Sequence, residues 1–510
     1  MNNRSLIKGR YRPEIDGLRA FAVVAVIINH FNKELLPGGY LGVDIFFVIS
    51  GYVITSSLGG GGNKNFWEFI IGFYERRIKR LIPLLVVFVV ITSFIICLFN
   101  PNPSTTLKTG ISALFGLSNL YLLKASTDYF AQSTELNVFT HTWSLGVEEQ
   151  FYFLFPFIIW FTGFGRQTKN SVRNLFLSVL FLVICSLIIF IYFYAANQPA
   201  AYFLMPTRFW EIATGCLIFL GIEKRIFVFK KLDNISCFLI LFAIVGIMFL
   251  PITLAVPSTI LIVFLSALLI IFLKEGTYLF LFFTNKKVMK IGLLSYSLYL
   301  WHWSIISISR WTIGIYWWSI PFQIGLIYLI SIYSYKWIEN PLRKKDWSSK
   351  KSLTILKGLF TIIISVIPLI GLKKELQEKL YLGDKKLITT INNTLLTPIN
   401  IDNQNKQFGG IDCFITNNSE VGKLINYDKC TLGDFENSKK RILIVGNSLS
   451  AAFAASFKEI VDDDFSVLIT SAWGASPLKG MPNNTKWSKA NKYYWEELVP
   501  TLIDKLKKGD

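Results

Sequence analysis

Eleven stretches of about 20 mainly apolar residues dominate the chain, and they leave few folds open to it. Each stretch is long enough to cross a bilayer as an α-helix. Apolar residues make up 52% of the 510 residues and the mean hydropathy is +0.46, both too high for an ordinary soluble protein. The sequence therefore predicts a polytopic all-α membrane bundle of ten helices plus one linking span. The stretches lie near 16–34, 40–58, 81–99, 143–162, 174–194, 202–221, 236–251, 256–273, 290–308, 318–335 and 353–372.

Positive charge marks one side of this bundle. The net charge is +19, and Lys and Arg concentrate in alternate loops, for example in ERRIKR, EKRIFVFKK and KKVMK. By the positive-inside rule these loops and the N-terminus are cytoplasmic, and residues 373–510 lie outside. The charge is thus a topology signal, and it predicts the lipid bilayer rather than nucleic acid as the partner. In a bacterium this protein would occupy the inner (cytoplasmic) membrane.

Composition divides the chain into three regions. Residues 1–345 form the membrane domain, 346–375 a linking transmembrane helix, and 376–510 a periplasmic linker with an α/β domain. The segments RILIVG (441–446) and FSVLIT (465–470) are buried-type strands around a helical segment, which predicts a βαβ unit with a parallel sheet. The sequence stops after a helix where another strand is expected, so we expect this domain to be incomplete.

Two cysteines, Cys413 and Cys430, lie in the outer region. An oxidising compartment permits a disulfide between them, but the sequence alone does not establish the geometry.

The first apolar stretch carries an arginine and a histidine at a suggestive spacing. Arg19 and His30 are eleven residues apart. On a helix they share a face, about 16 Å apart along the axis. An arginine can bind phosphate and a histidine can act as a general base near neutral pH. A snorkelling arginine with an interfacial histidine would explain the same pair.

Further ionisable side chains lie in or beside the next stretches. Asp44 is inside an apolar run and needs a partner, for which a histidine or arginine of the first span is the economical candidate. Arg77 and Arg80 share a helical face at the start of the third span and could add to a phosphate site.

The fourth stretch begins with HTWSLGVEEQFY, which places His141, Glu148 and Glu149 on one face of an early helix. One glutamate could orient or charge-stabilise a histidine; a helix-start cluster favoured by the macrodipole is the alternative. Arg208 and Glu211, at i, i+3, predict a structural ion pair. His302, among tryptophans in YSLYLWHWS, is assigned to aromatic packing and hydrogen bonding within the bundle.

Seven segments together resemble the acyltransferase-3 family of integral membrane acyltransferases. They occur in order between about residues 10 and 345: PEIDGLRAFAVVAVIINH, GGYLGVDIFFVISGYVIT, RRIKR, HTWSLGVEEQFYFLFP, RFWEIATG, LSYSLYLWHWS and WIENPLRK. The resemblance implies transfer of an acyl group, often acetyl, from a cytoplasmic thioester to an extracytoplasmic carbohydrate.

The same resemblance implies roles for particular residues. Arg19 and His30 match the family motif of an arginine and a histidine separated by ten residues, and Arg77 and Arg80 match its Arg-x-x-Arg motif. Glu148 or Glu149 matches its acidic pair.

The outer domain resembles the start of an SGNH-type hydrolase. GNSLSAAF occupies the place of the nucleophile block, with Ser448 as the serine and Asn447 in place of the usual aspartate. No histidine follows His302, so this serine lacks its base and the domain is predicted to be inactive by itself. Ser448 could instead be a helix N-cap.

The sequence thus predicts an O-acyltransferase, most simply an O-acetyltransferase acting on lipopolysaccharide O-antigen or another surface glycan. Acetyl-coenzyme A is the expected donor, with Arg19, Arg77 and Arg80 at its phosphates and no metal. His30 is the expected base or transient acyl carrier, with Asp44 and His141 as secondary participants. A proton-coupled transporter and a periplasmic esterase are the alternatives.

Overall fold

The structure is a computed structural model with two compact units, Met1–Leu382 and Gly383–Asp510. The first unit is helical and the second contains small sheets. The residues that it describes are 11–58, 65–126, 134–166, 168, 170–223, 234–372, 377–383, 402–403, 406–407, 410–447, 450, 457, 464–474, 488–507 and 509–510.

Helices of the first unit are numbered in chain order. Each of the eleven predicted stretches overlaps one of the longer helices. The helices are α1 Pro13–Phe31, α2 Gly42–Leu58, α3 Phe66–Phe99, α4 Ser104–Leu114, α5 Ser118–Ser126, α6 Thr142–Phe161, α7 Ser171–Ala196, α8 Gln198–Phe203, α9 Met205–Glu223, α10 Asn234–Ile247, α11 Ala255–Phe272, α12 Tyr278–Phe283, α13 Lys286–Leu293, α14 Ser295–Trp311, α15 Ile320–Ser334, α16 Asn340–Lys344, α17 Lys351–Gly371 and α18 Gln377–Leu380. A π-helical turn, Tyr335–Glu339, joins α15 to α16.

Six helical segments in the described part of the chain are long and apolar enough to cross a membrane. A seventh is added if α13 and α14, bent by 66° at their junction, count as one span. Helix α1 carries three charged residues near its start, α6 carries adjacent glutamates, and α15 has only 15 residues. A multi-pass membrane protein is supported, whereas the count of eleven spans stays a prediction.

Helix α1 lies between two apolar clusters that form the core of the first unit. Ala22 and Val26 pack in a cluster built mainly from α2, α6, α7, α9 and α11. Val23 packs in a second cluster built mainly from α3, α14 and α17. Pro13 occupies the first turn of α1, where its missing N–H costs nothing, and acidic residues there favour the positive end of the helix dipole. Both sides of α1 are therefore fixed by packing.

Helices α2 and α9 cross at glycines. A Cβ added at Gly51 would lie 1.7 Å from the carbonyl oxygen of Ile212, and one added at Gly215 would lie 1.9 Å from that of Val48. Only a residue without a side chain permits this backbone approach, which is typical of helix pairs in membranes.

The second unit contains seven short strands in its described part. Strands β5 and β6 pair in parallel, β4 adds to β6 in antiparallel orientation, and β3 pairs with β7. The predicted parallel pairing of 441–446 with 465–470 is confirmed. The strands are β1 Asp402–Asn403, β2 Lys406–Gln407, β3 Phe414–Ile415, β4 Thr431–Leu432, β5 Lys440–Ile444, β6 Phe465–Ile469 and β7 Ser471–Ala472.

Cys413 and Cys430 form a disulfide in the second unit, with their Cα atoms 5.4 Å apart. The helix predicted after β5 lies mostly outside the described residues, and so does Ser448. An SGNH-type fold therefore stays a prediction for this unit.

Substituting Gly51 with Ala should destabilise the first unit by about 1–3 kcal/mol, because the added methyl group separates α2 from α9. Thermal unfolding of the detergent-purified protein, followed by loss of the monodisperse species, measures the effect. Gly325→Ala is the matched control, since nothing lies within 4 Å of the Cβ it adds to α15. Equal midpoints for the two variants would contradict the close crossing.

Candidate active site

Three arginines line one cavity inside the first unit. This arginine cavity, of about 90 Å³, is lined by Arg19 from α1, Arg77 and Arg80 from α3, Ser50 from α2 and Glu148 from α6. Arg77 and Arg80 are one helical turn apart and therefore point the same way. The predicted convergence of these arginines is thus seen in the structure.

Not every arginine in this cavity is neutralised by protein carboxylates. Arg19 forms an ion pair with Asp16 over 2.9 Å. Arg77 stacks on the ring of Tyr152, with its guanidinium carbon 4.5 Å from the ring centroid. Within the described residues, neither Arg77 nor Arg80 forms an ion pair with a carboxylate. The cavity therefore has positive charge available to an anionic ligand.

Glu148 is held on the wall of the same cavity. Ser50 donates a hydrogen bond of 2.9 Å to one carboxylate oxygen, and Tyr152 donates one of 3.0 Å to the other. The expected contact of Glu148 or Glu149 with a histidine is not present among the described residues. Glu148 lies seven residues, or about 10 Å of helical rise, beyond His141, so it falls in a different cavity. Among the described residues, the buried Oε1 of Glu149 has no hydrogen-bond partner.

The histidines line a second cavity. This histidine cavity, of about 400 Å³, is lined by His30, His141, Tyr299, Trp303 and Arg310 among others. Its wall and that of the arginine cavity share Val43 and Tyr299. The pitch of α1 explains the arrangement, because Arg19 and His30 face the same way about 16 Å apart along the helix.

His30 contacts the third histidine of the chain. Its Nδ1 lies 2.9 Å from Nε2 of His302, which is fully buried on α14. Trp303 packs edge-on against the His30 ring, with centroids 4.6 Å apart. His302 is packed and hydrogen-bonded within the bundle, as the sequence predicts. The sequence analysis does not identify His30 as its hydrogen-bond partner. The signal for this contact is that His302 and His30 are both ionisable residues inside apolar stretches, where such residues tend to pair.

His141 lies beside this pair without joining it. Its ring centroid is 5.6 Å from that of His302, and neither of its ring nitrogens has a hydrogen-bond partner in the described part of the chain. Its carbonyl oxygen accepts a hydrogen bond of 2.8 Å from the Tyr299 hydroxyl. Ser144 lies 2.6 Å from that hydroxyl and completes the wall between the cavities.

Asp44 has a different partner from the one expected. Arg208 on α9 lies 3.0 Å from Asp44 and 2.6 Å from Glu211. The predicted pair of Arg208 with Glu211 is confirmed. The expectation that the partner of Asp44 is a histidine or arginine of the first span is wrong. The close α2–α9 crossing brings Asp44 to Arg208, and a helix crossing is not visible in local sequence spacing.

Side chains of α14 hold the segment before α6 by its backbone. The carbonyls of residues 135–138 accept hydrogen bonds from five of these side chains, so the segment is fixed against the helix that carries His302. The donors are Trp303 to Asn137, Ser304 to Val138, Ser307 and Arg310 to Glu135, and Trp311 to Leu136, over 2.7–3.2 Å.

Charged side chains surround the opening of the histidine cavity. Lys33 and Glu135 form an exposed ion pair there, and the hydrogen bond from Lys33 lowers the pKa of the Glu135 carboxyl. Arg310 donates to the carbonyl of His30 over 3.3 Å, at the end of α1. No group of three or more His, Cys, Asp or Glu residues in the described ranges is arranged to hold a metal ion.

The first unit is thus a helical membrane unit in which an arginine-lined cavity adjoins a histidine-lined cavity. Residues 12–337 match the acyltransferase-3 family, whose description is "Acyltransferase domain". Because the match covers more than half of the chain, the protein belongs to this family.

Two curated relatives come from Staphylococcus aureus. O-acetyltransferase OatA is 35% identical over 378 residues, which are 71% of this chain and 62% of the relative. The putative O-acetyltransferase SAR0937 is 30% identical over 479 residues, which are 89% of this chain and 76% of the relative. The aligned part of the chain thus spans less than two thirds of the length of OatA. No solved structure matches the chain.

Replacing Arg208 with Met should destabilise the first unit by about 3–5 kcal/mol, because Asp44 and Glu211 would stay buried without a cation. Denaturant titration of the purified protein measures this change. Lys33→Met is the control: its ion pair is exposed, so the loss should stay below about 1 kcal/mol. Wild-type stability of the Arg208 variant would show that the buried cluster is dispensable.

Proposed function

We propose that this protein transfers an acetyl group from acetyl-coenzyme A to a hydroxyl of a cell-surface glycan, such as lipopolysaccharide O-antigen. The observation that carries the proposal is the pair of adjoining cavities, one lined by histidines and one lined by arginines, of which Arg77 and Arg80 form no ion pair within the described residues. The printed names of both relatives, O-acetyltransferase and putative O-acetyltransferase, support the acetyl group.

In this proposal the arginine cavity holds the donor. Guanidinium groups bind phosphate oxygens through paired N–H donors, which favours Arg77 and Arg80 as ligands of the coenzyme A phosphates. Arg19 remains paired with Asp16 and adds a third positive charge. Ser50 and Tyr152 fix Glu148, so its carboxylate balances this charge instead of orienting a histidine.

His30 is the proposed base for the acceptor. The acceptor oxygen attacks the thioester carbonyl carbon while Nε2 of His30 takes the hydroxyl proton. The carbon–sulfur bond then breaks, and the proton passes to sulfur to give the coenzyme A thiol and the acetyl ester. Transient acylation of His30 is the other route open to the same side chain. Tyr299 and Val43 stand between donor and acceptor, so they form the passage for the acetyl group.

The proposal includes an orientation in the bacterial inner membrane. The positive loops favour a cytoplasmic N-terminus, with the arginine cavity open to the cytoplasm and the histidine cavity toward the outer side. The second unit would then be periplasmic, where its disulfide is compatible with an oxidising compartment. A relay of the acetyl group through Ser448 is the alternative to this direct transfer.

His30→Ala should abolish acetylation, because it removes the proposed base for the acceptor hydroxyl. Mass spectrometry of surface glycans, from cells that lack the gene and carry wild-type or variant copies, checks for the mass of one acetyl group. Val24→Ala, a change on a lipid-facing side of α1, is the matched control and should leave acetylation intact. Wild-type acetylation by the His30 variant at equal protein level would reject His30 as the base.

Arg77→Gln should raise the KM for acetyl-coenzyme A about 10- to 100-fold, since one charge-assisted hydrogen bond to phosphate contributes roughly 1.5–3 kcal/mol. Inverted membrane vesicles given radiolabelled acetyl-coenzyme A measure transfer into base-labile glycan acetate. Arg76→Gln makes the same change of charge on the neighbouring, exposed residue and should leave the KM near the wild-type value. A KM equal for the two variants would place the donor elsewhere.

A further inference from the structure

We infer that His302 is a positioning residue that sets the tautomer of His30 and leaves Nε2 of His30 free for the reaction. The inference rests on the proposed function and adds a residue to it. It comes from two hydrogen bonds, one on each nitrogen of the His302 ring.

The first hydrogen bond determines where His302 carries its proton. Nδ1 of His302 lies 3.1 Å from the carbonyl oxygen of Leu298, one turn earlier on α14. A carbonyl oxygen only accepts, so Nδ1 is the protonated nitrogen. His302 is fully buried and no described carboxylate is hydrogen-bonded to it, and an uncompensated buried charge is costly, so the ring is neutral. Nε2 of His302 is therefore an acceptor.

The second hydrogen bond passes this constraint to His30. Nδ1 of His30 lies 2.9 Å from the Nε2 acceptor, so Nδ1 of His30 must carry its proton and donate. The two ring planes are within 1° of parallel and their centroids are 5.1 Å apart. This centroid distance is close to the sum of the nitrogen–nitrogen distance and the two ring radii, so the two rings meet edge to edge in one plane. The lone pair on Nε2 of His302 therefore points at Nδ1 of His30.

The consequence is an unprotonated Nε2 on His30, on the side of the ring away from His302. His30 lines the histidine cavity, and Nε2 has no hydrogen-bond partner in the described part of the chain. When Nε2 takes the acceptor proton, the Nδ1–H bond to His302 strengthens because the ring has become cationic. His302 thus performs the orienting task that a carboxylate performs beside many catalytic histidines.

The charged groups near His30 do not replace this contact. Arg310 binds the carbonyl oxygen of His30, not its ring, and lies 3.9 Å from the Glu135 carboxylate. Lys33 is paired with the same carboxylate. The ring of His141 lies with its centroid 5.6 Å from that of His302, and in the described part of the chain neither of its nitrogens is hydrogen-bonded to His30. His302 is the one described side chain hydrogen-bonded to the His30 ring.

Three substitutions separate positioning from packing. His302→Leu removes the acceptor. His302→Gln reaches as far as Nε2 and can accept from His30, whereas His302→Asn ends at the level of Nδ1 and cannot. Trp301→Phe is the matched control, because it deletes one buried hydrogen bond of α14, to Ser334, without touching His30.

The assay uses the full-length protein in inverted membrane vesicles with radiolabelled acetyl-coenzyme A, titrated to give kcat and KM. We expect His302→Leu and His302→Asn to lower kcat at least about tenfold, with KM for acetyl-coenzyme A unchanged. His302→Gln should recover to within a few-fold of wild type, and Trp301→Phe should keep the wild-type rate.

Full activity of His302→Leu, or equal losses in the Gln and Asn variants, would overturn the role of His302. If the Leu variant does not fold, the Gln and Asn pair decides, since these side chains differ by one methylene group. Wild-type vesicles that transfer no label would overturn the proposed function itself. If the wild type is active and the His30→Ala variant is inactive, the proposed function stands, and a fully active His302→Leu variant then overturns only the role of His302.

Discussion

The pitch of one helix connects the two halves of the candidate site. Arg19 and His30 share a face of α1, and the rise between them, about 16 Å, sets the distance between the arginine cavity and a histidine. Apolar packing on both sides of α1 holds that helix in place. The other side chains of the site are carried by α2, α3, α6 and α14, and they form the two cavities together with Arg19 and His30 of α1.

Charge compensation distinguishes the arginines of this fold. Arg208 is buried and contacts two carboxylates, so its charge is satisfied within the protein. Arg77 and Arg80 are half-buried on the wall of a cavity and form no ion pair in the described residues, although Glu148 lines the same cavity. A guanidinium group without a direct carboxylate contact keeps its N–H donors open to an anionic ligand. The same residue type thus differs in what it has available, and direct contact with carboxylates makes the difference.

Much of the first unit could be predicted because its signals are local. Apolar stretches located the helices, the eleven-residue spacing placed Arg19 and His30 on one face, and the i, i+3 spacing gave the pair of Arg208 with Glu211. The contacts that were missed join helices far apart in the sequence. His30 and His302 are 272 residues apart, and Asp44 and Arg208 are 164. Periodicity describes one helix at a time, so it carries no information on which faces of two helices meet.

Glu148 illustrates the same limit from the other direction. His141 is the N-cap of α6 and Glu148 lies within the helix, so about two turns of helix separate them along the axis. Glu148 and His141 therefore face the same way but line different cavities. The depth of a residue in the bundle matters as much as its direction, and depth is what assigns Glu148 to the arginines.

The segment before α6 is recognised by α14 through carbonyl oxygens, which every amino acid possesses. These five hydrogen bonds do not use the side chains of the segment, of which Thr134, Glu135 and Thr140 line the histidine cavity. A substitution at Thr134 or Thr140 would therefore change the wall of the cavity and leave these hydrogen bonds in place. Such a wall can vary in chemistry without disturbing the histidine pair behind it.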